Sequence, residues 1–332
     1  MKKLVILLIL TLLFQCCEKS ENEPQNIENY LNERTVFEIT ANADASKIFF
    51  LSGIIDTNAP PYMCSVPYIY QLSCTDGVQV LTFENLHSIR NIAVDNSCNV
   101  YACSVNSLIK FTPPHDSITI KTINSGFSSV AVGNNGKVWA GTWEDGLYSY
   151  DGNIWRQFTT ENSILPDNYI SQVYCSNNNI VWLILDDQDR TIIRIIGNDW
   201  KKYTINTLPE SAYLYASTCD YNGIFYTSYY SNNCSYLYKF TEEGFNTISL
   251  PVAIRNSFIS RLKTDQDGNL YFVINYGDFA EVYCMKSNDW YKINIPDVTG
   301  YIHDIVIDKS NYLWIGTGSG VKKIFIQLIP IN

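Results

Sequence analysis

Histidine is scarce in this sequence, with three in 332 residues. His87, His115 and His303 stand in no catalytic signature, and no GxSxG, HExxH or P-loop occurs. Acyl transfer, zinc proteolysis and nucleotide hydrolysis therefore have no motif to rest on. No CxxC or Cys/His spacing suits zinc, so neither a metal nor a cofactor is expected. Basic residues are outnumbered, 23 Lys and Arg against 33 Asp and Glu, for a net charge of −10. An acidic chain repels phosphate backbones, which excludes nucleic acid as an expected partner. No apolar run reaches the roughly 20 residues that cross a bilayer as a helix, and no amphipathic helix follows the N-terminal leader. Charged residues are only 17%, yet 46% hydrophobic residues make a globular chain, not a disordered one.

What is abundant is aromatic. Aromatics are 14%, including 24 Tyr, and they favour half-buried pleated surfaces, so the chain leans towards all-β. The leader MKKLVILLILTLLFQCC (1–17) has a basic start at Lys2 and Lys3 and an apolar stretch from Leu4 to Phe14. It resembles a bacterial lipoprotein signal, with Cys16 or Cys17 as the lipidated residue. Gln15 or Cys16 stands where a small residue is usual, and an ordinary secretory signal is the alternative. The resemblance implies a membrane partner through a lipid anchor. It places the chain in the bacterial cell envelope, as an outer-membrane lipoprotein facing the periplasm or the cell surface. Residues 18–35 are polar and read as a tether.

A repeat occupies 36–332. The strand cores KIFF, NVYA, KVWA, IVWL, IFYT, NLYF and YLWI align on Phe49, Tyr101, Trp139, Trp182, Tyr226, Tyr271 and Trp314, at gaps of 52, 38, 43, 44, 45 and 43. A second aromatic recurs as Trp155, Trp200, Phe245 and Trp290, at gaps of 45. Such a period with several short strands per unit predicts an all-β fold, a β-propeller. Seven four-stranded blades are expected, with six or eight as alternatives, in a monomer. Turns fall at NNG (134–136), NNN (177–179), NG (222–223) and DG (267–268), whose residues tolerate positive φ. Unit one carries a Pro-containing insertion at 53–67. The last strand of the ring is expected from either the tail VKKIFIQLIPIN or residues around Ile27–Glu33.

Trp139-Ala140-Gly141-Thr142 followed by Gly146-Leu147-Tyr148-Ser149-Tyr150-Asp151-Gly152 resembles the two-component regulator propeller repeat, and Trp314-Ile315-Gly316-Thr317-Gly318-Ser319-Gly320-Val321 resembles its first half. Phe158 to Ile170 is similar to that family's blade junction. The other units depart from the pattern: Trp182 is followed by Leu-Ile-Leu and Tyr271 by Phe-Val-Ile. In that family the repeats form extracytoplasmic sensors of hybrid histidine kinases, implicated in carbohydrate sensing. No kinase or receiver sequence accompanies the repeats here, so a stand-alone propeller is expected and the sensor role is not carried over.

Within Val138–Phe158, which is dense in aromatics and carboxylates, the repeat accounts for Trp139, Tyr148, Tyr150 and Trp155. Trp143, Glu144 and Asp145 are left over as loop residues. Loops after each second strand open on one propeller face, and variation there gives a repeated frame its specificity. Counting four residues past each aligned aromatic reaches Val105, Trp143, Asp186, Tyr230, Asn275 and Gly318. Trp143, Tyr229, Tyr230 and Tyr276 are candidate flat faces for sugar rings, with Glu144, Asp145, Asp186 and Asp187 bonding hydroxyls. Packing against neighbouring loops is the competing role. Asp265 and Asp267 suggest a calcium loop only faintly and fit a hairpin turn better. Cys98 and Cys103 flank one strand, roughly 16 Å apart, too far for a disulfide. Cys175 and Cys219 occupy equivalent inner-strand positions, where a bond or two small buried hydrophobes both fit. No catalytic residue is assigned. The expected function is a non-enzymatic binding module for a glycan or a protein. The alternatives are a propeller enzyme, a lyase or glycosidase, or a structural module of an envelope complex. Convergent carboxylates, or His with Tyr or Arg, at the channel mouth would favour an enzyme; aromatics and amides would favour binding.

Overall fold

The computed structural model describes residues 35–331, apart from 56–63, 74–76, 83–88, 113–115 and positions 186, 188, 206, 210, 242 and 297, and it describes 35, 53–55, 64–73, 77–82 and 116 by their backbone alone. The leader, Cys16, Cys17, the tether up to 34, much of the 53–67 insertion, Cys74, His87, His115 and Asp186 lie outside it.

Every regular element among the described residues is a strand. The strands form antiparallel sheets, five of four strands, one of five and one of three, with neighbours consecutive in sequence except at the last strand of the five-stranded sheet. We number them 1 to 7 along the chain. Their first strands are Thr35–Ala41, Asn91–Val94, Phe127–Val132, Ile170–Cys175, Tyr213–Cys219, Ile259–Thr264 and Ile302–Ile307. Each first strand packs beside the next, and the strand of sheet 7 packs beside that of sheet 1. This is an all-β propeller with four-stranded blades.

Burial explains the strand sequences. A second strand is covered by neighbouring sheets on both faces, so Val138–Thr142 is buried throughout and reads as a continuous apolar run. A fourth strand is covered on one side only. Asp199–Tyr203 accordingly buries none of its residues fully: Trp200 and Tyr203 are half-buried and Asp199, Lys201 and Lys202 exposed. All seven aligned aromatics are core residues, from Phe49 and Trp182 at 0% exposure to Trp139 at 6%. Buried indoles need a partner for N–H. Trp182 donates to the Gly223 carbonyl at 3.0 Å and Trp314 to Asp308 at 2.9 Å.

The turns from first to second strand share one conformation. Ala45, Cys98, Gly136, Asn179, Gly223, Gly268 and Asn311 all have positive φ, between 49° and 87°. Asp95, Asp220, Asp265 and Asp308 open four of these turns and accept backbone N–H groups two and four residues on. These are side-chain-capped Asx turns. Asp265 is thereby committed to its turn.

First strands are sheet edges, and their outer N–H groups have no ladder partner. Side chains from the preceding sheet supply acceptors. Asp304 accepts from Ile39 N–H at 2.9 Å, Glu38 from Ile92 at 3.0 Å, Asn91 from Val130 at 2.7 Å and Ser129 from Val173 at 3.2 Å. These four acceptors hold one register position, opposite Gly316, Leu51, Cys103 and Gly141. Asp304 thus fastens sheet 7 to sheet 1.

The tail does not complete sheet 7. Leu328–Pro330 pairs with Asp289–Ile293 as the fifth strand of sheet 6, Leu328 opposite Ile293 and Pro330 opposite Tyr291. Pro330 has no N–H to donate, which suits an outermost edge. Sheet 7 has three strands among the described residues, and the other candidate for its fourth strand, around 27–33, lies outside them.

Candidate functional site

Loops between second and third strands meet the sheet-to-sheet connections on one face. Trp143 N–H donates to the Gly126 carbonyl at 3.1 Å, Gly146 to Asn168 at 2.9 Å, Ser235 to Arg255 at 3.0 Å and Gly300 to Asp278 at 2.9 Å. On the opposite face, turn residues Asn42, Asp44, Asn96, Asn134, Asn177 and Tyr221 line the axial opening, a cavity of about 280 Å³.

A bulge recurs near the start of the first strand in six sheets, at Phe37, Ser128, Ser171, Tyr215, Ser260 and His303. A bulge re-aims its side chain, and these residues border the channel mouth. Aromatics gather there along sheets 5 to 7. Tyr215 meets Phe258 edge-on with centroids 3.9 Å apart, and Tyr230 lies 5.5 Å from Phe258 and 6.1 Å from Tyr215. Tyr276 stacks on Phe279 at 4.7 Å and 18°, with its hydroxyl 3.2 Å from that of Ser257. Tyr301 and Phe37 flank the His303 ring at 5.1 and 5.9 Å. Tyr215, Tyr276, Phe279 and Tyr301 keep 39–53% of their surface exposed. Across the mouth, the Arg90 guanidinium lies 4.4 Å from the Trp143 ring, which meets Tyr169 edge-on at 6.0 Å.

The expected site residues disperse. Trp143 is exposed on this face, beside Arg90 and Tyr169. Glu144 and Asp145 border a separate cavity of about 460 Å³ with Lys121, Asn124, Ser125 and Tyr148. Asp145 is held by its own loop and by the sheet-to-sheet connection beside it: its N–H donates to Thr142 Oγ1 at 2.9 Å, and its carboxylate accepts from Ser125 at 2.5 Å. Asp187 closes the next loop by accepting Thr191 N–H at 2.7 Å. Tyr230 and Tyr276 belong to the aromatic ledge. Tyr229 does not reach the face: it is 1% exposed and packs edge-on to Tyr238 at 6.3 Å. The reason is strand length. Phe225–Ser231 runs on to a tight turn at Asn232 and Asn233, so Tyr229 is still a strand residue. Asn275 is likewise in a strand, where its amide bridges Ser260 and the backbone of Ile302 at 2.8–3.1 Å.

Sequence reasoning missed Tyr215, Phe258, Phe279, Tyr301 and Arg90, and placed His303 before an inner strand without giving it a role. Counting eleven residues back from the aligned aromatic reaches Arg90, Tyr215 and His303, a signal available but unused.

Below the ledge the channel is polar. Lys263 Nζ lies 3.0 Å from Asp304 Oδ2. Arg261 donates from Nε to the His303 carbonyl at 2.5 Å and from a terminal nitrogen to that of Ser260 at 2.7 Å. Burial raises the Glu38 carboxyl to about 8, against the pull of Lys263. Burial lowers the His303 imidazole, and Arg261 adds to this. Cys175 and Cys219 are free thiols, and burial pushes Cys175 up to about 12. Among the described residues no group of three or more His, Cys, Asp or Glu could hold a metal ion, and no helix is long and apolar enough to cross a membrane.

No family model and no curated protein sequence matches the chain. Solved structures do. Virginiamycin B lyase from Staphylococcus aureus, as a catalytically inactive variant with quinupristin, superposes with a TM-score of 0.68 at 15% identity, over 89% of this chain and 96% of that one. The extracellular domain assigned to the hybrid two component system BT4673 of B. thetaiotaomicron gives 0.61 at 15%, over 89% of this chain and 38% of that one. PorZ, a surface component of the type-IX secretion system of Porphyromonas gingivalis, gives 0.64 at 11%, over 88% and 46%. At these identities the likeness shows the fold alone; the chain is an all-β propeller.

Proposed function

We propose that this chain is a lipid-anchored, seven-bladed propeller of the bacterial cell envelope whose open face binds a glycan without transforming it. The observation that carries the reading is the ledge formed by Tyr215, Phe258, Tyr230, Tyr276 and Phe279. Aromatic faces pack on the apolar faces of sugar rings, while hydroxyls and amides at the rim orient the ligand. The Tyr276 and Ser257 hydroxyls and the Asn233 amide near Tyr230 are such groups. The three-stranded sheet counts as the seventh blade because its first strand carries the shared bulge at His303 and the shared acceptor Asp304. Cell-surface and extracellular propellers of the same fold support the envelope location, and the Cys16-Cys17 leader supports the anchor. A glycan array probed with the full chain tests the reading. Retention of a glycan that is recovered unchanged is expected; no retention of any glycan at about millimolar levels would refute it.

One observation favours an enzyme as the second reading. His303 lies at the mouth beside Tyr301, with Arg261 on its backbone carbonyl, in a fold shared with a lyase whose inactive variant replaces a histidine. Against it, the Arg261 guanidinium is occupied by backbone carbonyls. Product formation by the wild-type chain that His303→Ala abolishes would establish the enzyme in place of the binder.

A further inference from the structure

The aromatic ledge runs along sheets 5 to 7 and leaves Glu144 and Asp145 without a role. They border instead the cavity of about 460 Å³ that Lys121, Asn124, Ser125 and Tyr148 also line. Small-molecule sites span roughly 300–1,000 Å³, so this one is of ligand size. Lys121 lies near the end of the fourth strand of sheet 2, and Asn124 and Ser125 follow in the connection to sheet 3. Glu144 and Asp145 form the loop between the second and third strands of sheet 3.

Opposite charges face this cavity without neutralising one another. Among the described residues, no ion pair includes Lys121, Glu144 or Asp145. Other contacts hold each charge in place. The Lys121 ammonium lies over the Tyr148 and Trp155 rings, 5.0 and 5.6 Å from their centroids, a cation–π placement. Asp145 is fixed by its N–H on Thr142, by its carbonyl, which accepts from Gln157 at 2.9 Å, and by one carboxylate oxygen, which accepts from Ser125. The frame therefore keeps cation and anions apart and positions them in advance of a ligand.

The lining also selects the ligand. A sugar ring needs an open aromatic face, and Tyr148 is 7% exposed, beneath Lys121 and packed against Phe127 and Trp155. A simple anion on Lys121 would face two carboxylates. A metal ion would find no described group of three or more suitable ligands. A molecule carrying both signs satisfies both walls.

We propose that this cavity binds a small zwitterion, its primary ammonium on Glu144 and Asp145 and its carboxylate on Lys121. The ammonium has three donors for the Glu144 carboxylate and the second Asp145 oxygen. The ligand carboxylate accepts from Lys121 and from the exposed Asn124 amide. Free amino acids and short peptides both carry this pair of groups and differ in the span between them. The site is separate from the ledge, so it stands or falls independently of glycan binding.

Calorimetric titration of the full chain tests this, with free α-amino acids in one arm and di- and tripeptides of the same residues in the other. Binding at about 1 mM or tighter is expected in at least one arm, and the arm that binds sets the span. N-acetylation and C-terminal amidation of the bound probe, each of which removes one charge, are expected to weaken it at least about tenfold. Glu144→Gln and Lys121→Met are expected to do the same, with Tm changed by no more than about 3 °C. If Lys121→Met lowers Tm further, the two blocked probes on the wild-type chain decide alone. Absence of binding in both arms overturns the proposal. Binding that survives acetylation or amidation undiminished overturns it as well.

Discussion

Asp304 accepts the backbone N–H of Ile39 at 2.9 Å, across 265 residues of sequence, and the same oxygen lies 3.0 Å from Lys263 Nζ. One buried carboxylate therefore joins the last sheet, the first sheet and sheet 6 around the axis, while its other oxygen has no hydrogen-bond partner in the described structure.

Removing that carboxylate takes the acceptor from a strand-edge N–H and the ion-pair partner from Lys263, which keeps its 3.3 Å bond to the Ile39 carbonyl. Asp304→Ala is expected to lower unfolding free energy by about 3–5 kcal/mol, and Asp304→Asn, which keeps an acceptor, by less. Urea unfolding followed by tryptophan fluorescence measures both. A loss below about 1 kcal/mol for the alanine variant would mean that the ring is held closed elsewhere.

Glu38 makes stability depend on pH. Its carboxyl is raised from 4.5 to about 8 by burial, so between these values the folded chain holds a proton that the unfolded chain has released. The contribution is full below about 4.5 and is lost as pH rises through about 8. Melting temperature is expected to fall across that window, and Glu38→Gln, which cannot titrate, to flatten the fall. A profile unaltered by the substitution would assign the slope to other groups.

Tyr229 and Trp143 separate packing from recognition. Tyr229→Ala empties a core position and is expected to cost about 3–5 kcal/mol. Trp143, 38% exposed, is expected to cost about 1 kcal/mol or less on replacement by Ala. Equal losses in thermal unfolding would place Trp143 in the core of the fold.

Two glycines with similar backbone differ in surroundings. Gly146 has φ +77°, and a Cβ there would lie 2.1 Å from the Phe158 carbonyl oxygen; Gly136 has φ +75° and open space around it. Gly146→Ala is expected to cost about 3 kcal/mol or more and Gly136→Ala about 1 kcal/mol. Similar melting points for the two variants would contradict the close approach.

The repeat was legible because the aligned aromatics, Phe49 to Trp314, sit at one register position buried on both faces, where side-chain identity is narrowly restricted. The turns were legible because positive φ selects Gly and Asn, although Ala45 and Cys98 adopt it without announcing it. The ledge was only partly legible. Tyr230 is reached by counting forward from its aligned aromatic and Tyr276 lies one residue past the counted Asn275, but Tyr215 and His303 take their direction from a bulge, a backbone irregularity that no side-chain pattern encodes. Tyr229 misled because the length of the second strand varies between sheets. The fate of the tail was hidden because IQLIPIN suits any sheet edge, and only the fold shows which edge lies within reach.

The central claim is that the aromatic ledge binds a glycan. Calorimetric titration of the glycan retained on the array, into wild-type chain and into Tyr276→Ala, tests it most directly. The account predicts affinity at least about tenfold weaker in the variant, with Tm changed by no more than about 3 °C. Equal affinities in the two proteins would contradict it.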